Sequence, residues 1–236
     1  MKLAIMQPYF FPYIGYFQLI NAADRFILLD DVQYIRHGWI NRNRILKPEG
    51  PGFSYISLQL ASHTSRAMIK DIEVVSENGW KEKIVRQLDH YKKKAPYYKE
   101  VLDLLKTCFS CTETNIARFN GWCLQSVCSY IGIHFKTEIS SQMNLDYSHV
   151  HAPGQWALRI CEQLGGTEYL NPCGGMEIFN RKLYQSSNVS LQFMAPQIGE
   201  YNQSRGFFEP NLSIIDVLMF NSADETKSLL SKFTYA

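Results

Sequence analysis

Two short apolar runs, each breaking off into a polar and aromatic cluster, constrain this chain most. Leu3-Ala4-Ile5-Met6 runs into Gln7-Pro8-Tyr9-Phe10-Phe11-Pro12-Tyr13-Ile14-Gly15-Tyr16, and Phe26-Ile27-Leu28-Leu29 runs into Asp30-Asp31-Val32-Gln33-Tyr34. Residues 16–23 leave room for about two turns of helix between the runs, so the order reads strand, loop, helix, strand. That is half of a parallel α/β unit. If its two strands lie side by side, both clusters emerge at their carboxyl ends, where open α/β sheets bind ligands.

The rest of the chain extends this plan. A basic and aromatic segment over 34–47 meets the turn Pro48-Glu49-Gly50-Pro51-Gly52, and 53–60 alternates as a strand. Residues 69–75 read as a further short strand or edge ended by Asn78-Gly79. From 80 the period becomes helical: Trp80, Ile84, Leu88 and Tyr91 repeat on one face, Pro96 opens a second helix, and 116–131 forms a third. Strand returns over 135–139, followed by a polar loop over 140–152. A helix from Pro153 then ends at Gly165-Gly166. Residues 167–170 form a strand leading into Asn171-Pro172-Cys173-Gly174-Gly175, then come a helix over 176–184 and a strand over 189–194. Ser213 caps a helix over 214–220, and Ser222-Ala223-Asp224-Glu225 is a capping box for a last helix anchored by Leu229, Leu230 and Phe233. The expected fold is α/β with a mostly parallel sheet and a helical insert. Residues 1–79 carry the amino-terminal half of the α/β domain and the site loops, 80–133 the helical insert, and 134–236 the carboxyl-terminal half.

Charge removes one function class. Lys plus Arg number 24 against 22 Asp plus Glu, so no overall positive field announces a nucleic-acid binder, and any polyanion must be met locally. The apolar start is far too short for a signal-peptide core and no stretch approaches a membrane span, which makes the cytoplasm the expected location. The cysteines at 108, 111, 123, 128, 161 and 173 form no regular framework and read as reduced thiols. Cys108 and Cys111 with Cys123 and Cys128 imitate zinc spacing. However, positions five apart on a helix point about 140° from each other, so Cys123 and Cys128 cannot both face one ion, and no metal site is expected.

Four groups carry candidate chemistry. Asp30 and Asp31 leave the second strand together, and a carboxylate there can act as a general base or hold Mg²⁺ beside a phosphate; the alternative is a solvated turn. Arg36-His37-Gly38-Trp39-Ile40-Asn41-Arg42-Asn43-Arg44 packs three guanidinium groups, two carboxamides and an indole into nine residues. Such forks match phosphate oxygens, and Trp39 can stack on a base or sugar; the bland alternative is an exposed basic loop. Asn171-Pro172-Cys173-Gly174-Gly175 offers backbone N–H groups to an anion but lacks a Walker pattern. His149-x-His151 could supply a base or metal pair, although without a nearby carboxylate or cysteine such a pair is more often neither.

Gln7-Pro8-Tyr9, Pro12-Tyr13-Ile14-Gly15-Tyr16-Phe17, Asp30-Asp31-Val32-Gln33-Tyr34, Trp39-Ile40-Asn41-Arg42-Asn43-Arg44-Ile45, Tyr169-Leu170-Asn171-Pro172 and Leu212-Ser213-Ile214-Ile215-Asp216 together resemble the WbqC-like protein family. That resemblance implies a place in bacterial O-antigen or other surface-polysaccharide synthesis. A second, fainter similarity is to pantothenate synthetase. Tyr13-Ile14-Gly15-Tyr16 sits where that enzyme has His-x-Gly-His, and Gln33-Tyr34 sits where it has Gln-Phe, which implies a Rossmann-like sheet of the nucleotidylyltransferase (HUP) type. Both histidines are tyrosines here. A phenol cannot become cationic, so charge would have to come from Arg42, Arg44 or Mg²⁺.

The expected function is therefore acyl or aminoacyl transfer to the amine of a nucleotide-linked sugar. Asp30 or Asp31 would serve as base, with Tyr9, Tyr13 or Gln7 as donors. Tyr16, Gln33, Tyr34, Trp39, Asn41, Arg42, Arg44, Asn171, Gly174 and Gly175 would bind substrate. The donor would be an acyl adenylate made from ATP and Mg²⁺, a thioester or a charged tRNA. Nucleotidylyl transfer and non-catalytic binding of a nucleotide sugar are the alternatives.

Overall fold

The apolar run at the amino terminus becomes β1 (Lys2–Met6), α1 (Ile14–Ala22) follows it, and β2 (Arg25–Leu28) returns parallel, pairing Leu3 with Arg25 through Met6 with Leu28. The computed structural model describes residues 1–76 and 79–236; the expected Asn78 turn lies outside them. β3 (Arg42–Leu46) and β4 (Phe53–Ser57) form a separate antiparallel hairpin across the predicted 48–52 turn. Next come α2 (Trp80–Gln87), α3 (Tyr98–Phe109), α4 (Ile116–Tyr130), β5 (Glu138–Ile139), α5 (Gln155–Leu164) and β6 (Glu168–Pro172). The chain ends with α6 (Arg181–Ser186), β7 (Ser190–Pro196), α7 (Ile214–Phe220), α8 (Ala223–Leu229) and β8 (Phe233–Tyr235).

The main sheet has six strands in the order β5-β2-β1-β6-β7-β8. The first five are parallel and β8 alone is antiparallel, on β7. Counted along the chain, the parallel strands run 3-2-1-4-5, so the winding direction reverses between β1 and β6. Such a reversal opens a crevice at the carboxyl ends of the two strands. Parallel strands covered on both faces read as continuous apolar runs. Ala4, Leu28 and Leu170 pack into one cluster with Phe17 of α1, while Leu3, Ile5, Ile27 and Tyr169 pack into another with Leu158 and Cys161 of α5. The helices over 80–133 share the first cluster with Phe10, Leu28 and Ile45.

Several local expectations fail for identifiable reasons. Residues 69–75 hold a 3₁₀ turn, Ile69–Asp71, with isolated bridges at Glu73 and Val74 rather than a strand. Residues 42–46, within the basic and aromatic segment to which no element was assigned, are a strand in which Asn43 and Ile45 face the interior while Arg42 and Arg44 share the other side. The helix expected over 176–184 divides into a 3₁₀ helix, Cys173–Ile178, and α6, because the Asn180 side chain accepts from the N–H groups of Lys182 and Leu183 and starts the second piece. α3 begins two residues after Pro96, and Phe233 anchors an edge strand rather than the last helix. The predicted caps at Gly165, Ser213 and Ser222 are all present.

Candidate functional site

A cavity of about 920 Å³ opens at the reversal point, walled by Met6 of β1 and Gln7 just beyond it, Leu29 beyond β2, Asn171 and Pro172 from β6, and Pro196 from β7. Tyr9, Pro12, Tyr13, Trp39, Asn43 and Arg44 close one side; Pro153, Trp156, Ala157, Ile178 and Phe179 close the other. The opening pair of strands thus brings the first loop and part of the basic segment to one concavity. Not every predicted residue comes with them.

The loop over 7–13 is held by its carbonyls. Tyr16 donates its hydroxyl to Gln7 O at 2.9 Å, Asn120 Nδ2 donates to Pro8 O at 2.8 Å, and Asn43 Nδ2 donates to Phe10 O at 3.0 Å. Ser213 Oγ donates to Phe11 O at 2.7 Å, and the Ile214 N–H donates to Pro12 O at 2.8 Å. Phe10 and Phe11 plug the core at 0% and 1% exposure. With backbone and apolar residues so committed, Gln7, Tyr9 and Tyr13 remain to face the cavity. Gly15 makes room for this, since a Cβ there would lie 2.3 Å from Tyr13 Cε2. Burial raises the Tyr9 phenol, and burial with Tyr9 and Cys173 nearby pushes Tyr13 up to about 12. Both are neutral hydrogen-bonding groups at ordinary pH. Tyr16, by contrast, is fully buried and serves the loop from beneath, so it does not reach a ligand in this cavity.

The two arginines of β3 divide their work. Arg42 donates to the Gly38 and His37 carbonyls and lies 4.2 Å from the Tyr55 ring centroid, which locks its own loop and keeps it out of the cavity wall. Arg44 lines the cavity with its guanidinium 4.8 Å from the Trp39 ring and 4.2 Å from the Phe53 ring. Its Nε is buried without a hydrogen-bond partner, and it forms no ion pair among the described residues.

The acidic pair turns away. Asp30 accepts from Ser140 Oγ, Ser141 N and Ser141 Oγ at 3.0, 3.0 and 2.7 Å, and Asp31 accepts from Lys70 Nζ at 3.0 Å and Ser140 Oγ at 2.7 Å. Both carboxylates are buried, and neither belongs to the cavity wall. They tie the end of β2 to the 3₁₀ turn after β5. Tyr34 and Asn41 likewise bond each other, hydroxyl to Oδ1 at 2.8 Å, outside the wall. Gln33 does line it, with Nε2 given to Ser65 O at 2.9 Å.

At β6 the predicted turn reaches the cavity with Asn171, Gly174 and Gly175. The carboxamide of Asn171 is used locally: Oδ1 accepts from Tyr169 and Nδ2 donates to Pro172 O, both at 2.9 Å. His149 and His151 are exposed and stand outside the wall. Burial and the neighbouring Cys108 hold the Cys123 thiol well above its ordinary range, which marks this cluster as core. Among the described residues no group of three or more His, Cys, Asp or Glu side chains is placed to hold a metal ion, and no helix is long and apolar enough to cross a membrane.

Sequence reasoning missed Asn120, Trp156 and Phe179 as parts of the site, and it read Ser213 only as a helix cap, not as the donor that holds Phe11 O. Asn120 had a readable signal, a carboxamide four residues after Ile116 on the apolar face of α4. It is fully buried and donates to Pro8 O and Ile40 O, each at 2.8 Å, so one amide spans both site loops. Trp156 and Phe179 carried no such signal, because amphipathic spacing explains them as core.

The sequence model of the WbqC-like protein family matches residues 7–228. The uncharacterized protein Rv1507c of Mycobacterium tuberculosis is 28% identical over 231 residues, covering 97% of each chain. No solved structure matches this chain.

Proposed function

For a chain that belongs to the WbqC-like protein family, we propose that the cavity is the binding site of a nucleotide-linked sugar whose diphosphate is met by Arg44. One observation carries this reading: the Arg44 guanidinium is stacked between Trp39 and Phe53, its Nε is buried, and no carboxylate neutralises it among the described residues. A half-buried guanidinium that faces the cavity without a carboxylate partner is free to give an arriving phosphate charge-assisted hydrogen bonds. The neutral phenols of Tyr9 and Tyr13 and the carboxamides of Gln7 and Asn43 suit hydroxyls and base edges. The volume lies within the usual range for small-molecule sites. The 3-2-1-4-5 strand order supports the Rossmann-like reading.

The reaction fitting such a ligand is acyl or aminoacyl transfer to the sugar amine, in the surface-polysaccharide setting that the family resemblance implies. Among the described residues no Asp, Glu, His, Lys, Ser, Thr or Cys lines the cavity. The chain's contribution is then alignment of amine and activated carbonyl, with Tyr9 and Tyr13 as hydrogen-bond donors to the developing oxyanion. The new C–N bond replaces the carbonyl's bond to the donor's AMP, thiol or tRNA leaving group, and the amine's proton leaves with that group or to water. The same wall composition favours, as a second reading, a protein that binds the nucleotide sugar without transforming it. Nucleotidylyl transfer is less well supported, because Tyr16, at the second histidine position of that pattern, is committed to Gln7 O.

Thermal shift with UDP, UDP-N-acetylglucosamine, the free sugar and ATP with Mg²⁺ tests the reading. Saturable stabilisation by the UDP compounds but not by the free sugar is the expected result. Stabilisation by none of the UDP compounds rejects it, and stabilisation by ATP only when Mg²⁺ is present transfers the case to nucleotidylyl chemistry.

A further inference from the structure

The cavity crosses the carboxyl edge of the sheet, so its two sides belong to different layers. Arg44, with Trp39 and Asn43, stands on the hairpin side. On the α5 side the wall is Ile5, Leu29, Trp156, Ala157, Ile178 and Phe179, with Ile5, Leu29, Ala157 and Phe179 part of the second apolar cluster. None of these six side chains is ionisable. The nearest polar side chains are already used: the Tyr169 hydroxyl donates to Asn171 Oδ1 at 2.9 Å, and Asn171 Nδ2 donates to Pro172 O at 2.9 Å. Of the six side chains only Trp156 carries a polar atom, its indole N–H, so a polar ligand group placed there would lose water and find at most one side-chain donor among the described residues.

This apolar wall is built by the backbone around it. Gly154 sits where a Cβ would fall 2.1 Å from Ile178 O, so α5 approaches the 173–178 turn closely enough for Trp156 and Ile178 to face one space. The Tyr184 hydroxyl donates to Gly154 O at 2.9 Å and holds that approach. Ile178 is nevertheless 55% exposed. An isoleucine that open, at the mouth of a recess whose one phenol, Tyr169, is already bonded to Asn171, matches the burial of a few methylenes on ligand binding.

We infer that the α5 side of the cavity is a subsite for a short acyl chain, set opposite the cation that takes the phosphate. The inference rests on the nucleotide-sugar reading and adds the character of its second substituent. Two sources supply this chemistry: an acyl group in amide linkage on the sugar, or the acyl group of a thioester donor.

Titration calorimetry with UDP-glucosamine carrying N-acetyl or N-butyryl groups, and with S-acetyl and S-butyryl pantetheine in the presence of UDP, separates the sources. Two added methylenes should tighten binding roughly tenfold for the series that enters the recess. Trp156→Ala should reduce that gain to less than about threefold, and Ile178→Ala, at an exposed position that cannot threaten folding, should lower it part of the way. A gain confined to the N-acyl series identifies the sugar substituent, and one confined to the thioesters identifies the donor. UDP binding with no chain-length gain in either series overturns the subsite and leaves the nucleotide reading standing. A Trp156-dependent gain with the thioesters and no UDP binding does the reverse.

Discussion

Ser141 donates its hydroxyl to Asp30 Oδ2 at 2.7 Å, and this short bond belongs to a brace between β2 and the turn after β5, not to the cavity. Ser140 Oγ lies 3.0 Å from Asp30 and 2.7 Å from Asp31, so its single hydrogen serves one carboxylate at a time. Asp30→Ala removes a charged acceptor from the Ser141 N–H and hydroxyl and from the hydroxyl that Ser140 shares with Asp31. We expect it to cost about 1.5–3 kcal/mol in urea unfolding and to change UDP affinity by less than about twofold. An intact unfolding midpoint with lost ligand affinity would return Asp30 to the site.

Arg42 and Arg44 are two residues apart on one strand and should separate in a binding assay. Arg44→Ala should weaken UDP-sugar binding by about 10- to 100-fold, the range of a charged hydrogen bond. Arg42→Ala, which loosens a loop but leaves the wall, should change affinity by less than about threefold and mainly lower the melting temperature. Equal effects of the two substitutions would contradict the division.

Gly15→Ala tests the support of Tyr13. The added Cβ meets Tyr13 Cε2 at 2.3 Å and Pro196 Cγ at 2.8 Å, so the ring must move in the cavity wall. The expected cost is about 1–3 kcal/mol of stability together with weakened ligand binding. Tyr13→Phe should preserve stability within about 0.5 kcal/mol because its hydroxyl makes no hydrogen bond among the described residues.

Asp216 makes stability depend on pH. It is fully buried at the first turn of α7, and burial raises its carboxyl from 3.8 to about 6 despite donors from Tyr201, Tyr91 and Gln203. The folded value lies above the unfolded one, so the folded chain holds this proton more tightly. Its contribution is full below about pH 4 and is lost as pH rises to about 6, on the order of 3 kcal/mol. Unfolding free energies of the wild type minus those of Asp216→Asn should fall across that window. Tyr201→Phe, by removing a 2.6 Å donor, should move the window upward. A pH-independent difference would exclude the linkage.

Asn120 should act as a positioning residue. Asn120→Ala frees the Pro8 and Ile40 carbonyls, each now receiving a 2.8 Å bond. Losing a buried pair of bonds should cost about 2–4 kcal/mol, and where the variant remains folded, hydrogen exchange should rise in residues 7–13 and 38–41 together. Faster exchange in only one loop would show that the amide does not couple them.

Local rules written in neighbouring residues determined much of this protein. Continuous apolar runs at β1 and β2 fit strands buried on both faces, capping residues at Ser213 and Ser222 start helices where they fall, and Gly165 ends α5 in the left-handed region. The first loop was legible as a wall of the cavity because its prolines, phenols and carboxamides follow directly on a strand. What only tertiary structure decided is which polar groups were left over. Asp30 and Asp31 looked free along the chain, yet Ser140, Ser141 and Lys70, up to 111 residues away, satisfy them. Arg42 and Arg44 looked equivalent, yet carbonyls of its own loop occupy one while the rings of Trp39 and Phe53 leave the other without an acceptor at Nε. Hydrogen-bond satisfaction is settled by groups distant in sequence, so periodicity can locate a site without telling which of its side chains remain available to a ligand.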